Sequence, residues 1–155
     1  MCDLGHSHPH QSYGFLVDAP EIRALIDETT RLTAAIEDDA ATPVHDHLAW
    51  GLVGIYRGRQ DETVYRRLDD GSDPARARLE ISKRQQLGRG EFYTLLPPAD
   101  DIHFVTTISD TPSISIHLLA NDTACVWRHR FEPATGVVTP FRSGYANAPC
   151  PDGGT

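Results

Sequence analysis

TPVHDHLAWGLVGIYRG, residues 42 to 58, joins two histidines spaced two apart to an apolar run that ends on a glycine. On a strand, positions i and i+2 share a face, so His45 and His47 can both turn toward one metal ion. Asp46 would then face the other way. A further histidine, His103, opens a later strand after the turn LLPPADD. Neutral imidazoles are ligands for zinc, iron, copper and nickel. Two on one strand and a third on a partner strand would form a three-histidine face with open positions opposite. Such a face suits catalytic zinc as well as iron, so the residue types alone leave the metal open.

Outward from this segment the chain alternates short strand-like runs with turns. Strands are expected at 31–37, 49–58, 62–69, 77–85, 91–97, 102–108, 112–120 and 124–131. Asp, Gly, Pro and Ser clusters such as DDGSDPA, LGRG, SDTP and EPATG separate them. Strands repeating every 8 to 12 residues with turn chemistry between them point to an all-β sandwich or barrel. One short helix is expected over 20–28, capped by Asp18 and striped by Ile22, Leu25 and Ile26. Residues 1–13, with Cys2, His6, His8 and His10, read as a solvated, His-rich tail. Residues 140–155 read as a Gly- and Pro-rich tail wrapping the surface, and the whole of 1–155 as one domain.

The chain has 155 residues, enough for one domain with a substantial core. A formal charge of −8 argues against nucleic acid and anionic membranes as partners. No apolar run approaches the roughly 18 residues of a membrane span. The first residues show neither the basic nor the apolar region of a secretory signal. The three cysteines, Cys2, Cys125 and Cys150, lack zinc-type spacing and leave one thiol unpaired in any disulfide scheme, so reduced thiols and a cytoplasmic location are expected.

Four segments taken together, PVHDHLAWGLVGIYRG, LLPPADDIHFV, PSISIHLL and FRSGYANAP, resemble the cupin-fold thiol dioxygenases over roughly residues 30 to 147. The likeness is closer to the bacterial 3-mercaptopropionate dioxygenase branch than to mammalian-type cysteine dioxygenase. The resemblance implies a cupin double-stranded β-helix, a jelly-roll barrel, holding Fe(II) on His45, His47 and His103. General cupins often add a glutamate shortly after the H-x-H; LAWGLV supplies none, as in the thiol dioxygenases. Three neutral ligands would leave the ion its double charge and so favour an anionic thiolate, with dioxygen as the second reactant.

The same resemblance gives roles to other residues. Arg128, in ACVWRHRF, matches the guanidinium that clamps the substrate carboxylate, whereas spacing alone allows a surface arginine sharing a face with Arg130. Ser115 and His117, in PSISIHLLA, match the first two members of a Ser-x-His-x-Tyr relay; read alone, His117 is equally a core histidine. Position 119 departs from the pattern, for the family tyrosine is Leu119 here. Tyr145 is a candidate replacement for the lost hydroxyl, and otherwise packs the C-terminal tail. Trp50 lines the pocket entrance or fills the core. Leucine at 119 would leave a wider, more apolar pocket for a bulkier sulfur substrate, such as the heterocyclic thione ergothioneine, in place of a short thiol. The partners expected are this substrate and dioxygen, in a monomer or small homo-oligomer. The alternatives are a cupin of other metal chemistry (isomerase, lyase or carbon oxygenase) and a non-catalytic ligand sensor.

Overall fold

Alternation of buried and half-buried positions along GLVGIYR makes β2, Gly51–Arg57, a strand with one face inward, and RQDETVYRR behaves likewise in β3, Arg59–Arg67. Gly58 turns the chain between them with φ 73°. A Cβ there would lie 2.7 Å from Ser109 Oγ and 2.8 Å from Ser113 Cα, so only glycine fits. β2 and β3 belong to different sheets, and this turn carries the chain from one to the other.

The computed structural model describes residues 41–145 and 148–151, with the isolated Ala24. The helix expected over 20–28, the strand over 31–37 and the His-rich tail lie outside them. The remaining strands are β1 (Val44–His45), β4 (Leu79–Gly88), β5 (Phe92–Leu95), β6 (Ile102–Thr107), β7 (Ile114–Leu119), β8 (Arg128–Glu132) and β9 (Val137–Phe141). They form two antiparallel sheets, of order β4-β3-β6-β1-β8-β9 and β5-β2-β7. The all-β expectation holds for the described residues, and none of their helices is long and apolar enough to cross a membrane.

Register decides which side chains meet. His45 pairs with His103 on one side and Arg130 on the other, which places all three on one face of the large sheet. Val44 pairs with Phe131, and these two join Ile102, Val138 and Ala77 in a core on the opposite face. The second core lies between the sheets, where Val53, Ile55, Tyr93 and Leu95 of the small sheet meet Leu87 of β4.

Three expectations are corrected. The strand expected over 124–131 begins at Arg128 as β8, because residues 123–125 form a turn. The tail expected from residue 140 begins after Phe141, since Pro140 and Phe141 pair with His129 and Arg128 in β9. The cysteines are not all reduced: Cys125 and Cys150 form a disulfide, with Cα atoms 5.4 Å apart. This removes the ground on which a cytoplasmic location was expected.

Candidate metal centre

His45 is aimed by the end of β1, but His47 lies beyond the strand. Its direction comes from the turn that follows, in which Leu48 adopts φ 55°, a conformation uncommon outside glycine. The Asp101 carboxylate holds that turn, accepting the backbone N–H of His47 and of Leu48, each at 3.0 Å. Asp46 does face away from the histidines, and its carboxylate accepts both the backbone N–H and Nδ1 of His129 at 2.7 Å. The H-x-H segment is thereby tied to Asp101 through its backbone and to His129 through its central carboxylate.

The three rings converge. His45 lies 4.8 Å from His47 and from His103, centroid to centroid, and His47 lies 5.0 Å from His103. One nitrogen from each falls within 4.8 Å of the others, an arrangement that could hold a metal ion. The tautomers agree with that use. Nδ1 of His45 donates to the Pro43 carbonyl at 2.8 Å and Nδ1 of His103 to Glu62 Oε1 at 2.8 Å, which leaves both Nε2 lone pairs free. Nε2 of His103 is buried without any hydrogen-bond partner, a costly condition that a coordinated cation would relieve. Burial, and then the neighbouring His103, hold His45 down to about 3, so it is a neutral donor at physiological pH.

Across the interior, β7 brings His117 to 6.1 Å from the His47 ring. Its Nε2 and the Ser115 hydroxyl are hydrogen-bonded at 3.0 Å, as the i, i+2 spacing allows. His117 is an exposed residue by surface area, with its ring turned toward the cluster, and desolvation, then His47 and His103, lower it to about 4. Leu119, on the same face, lies over Gly51: a Cβ on that glycine would stand 2.5 Å from Leu119 Cδ2. It is half-buried against the Val53 cluster and has no hydrogen-bonding group of its own.

Arg128 is buried at 5% exposure, which sets aside the surface reading open from spacing. One terminal nitrogen donates to the Asp46 carbonyl at 3.0 Å and the other to Ser143 Oγ, and the guanidinium stacks on Phe141. Nε is the one guanidinium nitrogen buried without a partner. Arg130 is exposed.

Trp50 is 61% exposed, which sets aside the core reading and leaves the pocket-entrance one. Tyr145 is exposed too, and its hydroxyl donates to Asp122 on the surface.

Sequence reading missed Glu62, Gln85 and Tyr93. Glu62, at 1% exposure, also accepts Nε2–H of Gln85 from β4. Tyr93 stands edge-on to His103 at 6.0 Å, and burial, then Glu62, raise its hydroxyl above the ordinary phenol value. The only signal was parity, which puts Glu62 in step with Val64 along an otherwise charged strand. No protein-family model matches the chain.

Proposed function

We propose that the chain is a cupin jelly roll acting as a non-haem Fe(II)-dependent thiol dioxygenase. The observation that carries this reading is the convergence of three metal-competent histidines on the Ser115–His117 pair. Two antiparallel sheets, of six and three strands, support a sandwich of the kind a jelly roll belongs to.

Iron on His45, His47 and His103 would supply the Lewis acidity that favours a thiolate and the redox chemistry that activates dioxygen. The protein supplies the rest. Arg128 offers positive charge and its wholly unpartnered Nε–H to a substrate carboxylate, while each terminal nitrogen already has one N–H engaged. His117 and Ser115 share a hydrogen bond whose proton can be held or moved beside the reacting sulfur. Leu119 ends that relay and gives the pocket an apolar wall, which suits an uncharged or heterocyclic sulfur compound alongside short carboxylated thiols.

The test is metal analysis followed by oxygen-electrode assays with cysteine, cysteamine, 3-mercaptopropionate and ergothioneine. Iron-dependent oxygen uptake with oxygen gained on sulfur is expected. Full zinc occupancy with no uptake across the panel would sink the reading. The apolar residue at 119 favours a second one, a metal-binding cupin of other chemistry or a ligand sensor. A sensor would bind a panel member without turnover.

A further inference from the structure

A carboxylate in the interior of a β-sandwich is expensive unless both oxygens are bonded. Glu62 meets that condition through two groups on neighbouring strands. His103 of β6 offers Nδ1 at 2.8 Å, and Gln85 of β4 offers Nε2–H. Tyr93 covers the arrangement from the opposite sheet, its buried hydroxyl lacking any hydrogen-bond partner. The pairing of Glu62 with His103 fixes where the free lone pair of that ring must be. With Nδ1–H committed to the carboxylate, only Nε2 is left, and it is the buried atom without a partner.

We propose that Glu62 is a positioning residue for a metal held by His45, His47 and His103. It locks the tautomer and ring orientation of His103 and adds one negative charge an imidazole away from the ion. The carboxylate that the H-x-H segment lacks is thus supplied from β3, through a ligand rather than as a ligand. The inference rests on a metal at these histidines and not on the sulfur chemistry proposed above. It also changes the electrostatics of the site, since half of a divalent ion's charge is offset from behind His103.

Glu62→Gln preserves shape while removing the charge, and an amide can show Nδ1 either its oxygen or its N–H. Zinc(II) affinity, measured by competition with a chromophoric chelator, should fall roughly 10- to 100-fold. In the metal-free variant, nitrogen-15 shifts of His103 should show two tautomers where the native chain shows one. Unchanged zinc affinity would overturn the proposal. Should Glu62→Gln fail to fold, Glu62→Asp serves, for it keeps the charge and withdraws the carboxylate from His103 Nδ1. Weakened zinc binding supports the proposal there as well, and unchanged binding refutes it. A native chain that binds no zinc removes the metal itself, an outcome distinct from equal binding by native and variant proteins.

Discussion

Arg128 is held so firmly by the Asp46 carbonyl and Ser143 that truncating it would disturb the H-x-H segment along with any substrate contact. Arg128→Lys keeps the charge and is the cleaner probe. It should raise KM for 3-mercaptopropionate by roughly tenfold, about the worth of one charge-assisted hydrogen bond, and leave KM for cysteamine unmoved. Equal effects on both substrates would remove Arg128 from substrate recognition. At this scale the three histidines were legible from spacing and strand placement, and the Ser115–His117 pair only from the resemblance of its segment. Glu62 was not. In RQDETVYRR it looks like one more solvated charge, and its burial depends on β4 and β6 closing over it from distant parts of the chain. For Tyr145 the structure agrees with the tail-packing alternative, its hydroxyl lying on Asp122, a contact between distant segments that leaves no trace in local pattern.

The strand elements were legible where alternation was long and obscure where pairing alone defines them. β1 has two residues and β9 contains Pro140, so neither carries a periodic signal, yet both lie beside the arginine and the histidines. The β2–β7 pair depends on a close approach at Gly51. An alanine there would put its Cβ 2.9 Å from the Leu118 carbonyl oxygen as well as against Leu119. Gly51→Ala should therefore destabilise the protein by about 1–3 kcal/mol, read from the urea midpoint. An unchanged midpoint would mean that the strands part freely and that Leu119 is not wedged as described.

For the whole molecule, acid is the informative perturbation. His45 and His117 are held near 3 and 4 in the folded chain, against 6.5 for a free imidazole. Below pH 6.5 the unfolded chain therefore takes up protons that the folded chain refuses, and folding stability falls as pH drops from there toward the folded values. The metal-free protein should show a urea midpoint that is level above neutrality and declines steadily from pH 6.5 to 4.5. Ala at both positions should flatten that decline. Reduction of Cys125–Cys150 is the second perturbation; the bridge spans a sequence separation of 25 and should contribute about 3 kcal/mol, seen as a lower Tm in reductant. The pairing itself was hidden because its two halves are brought together only by the β8–β9 hairpin. That bridge also makes the hairpin a covalent ring whose exposed turn, Pro133–Thr135, is the place a protease would cut. A chain nicked there stays one molecule on a non-reducing gel and separates into two fragments only when the sulfurs are freed.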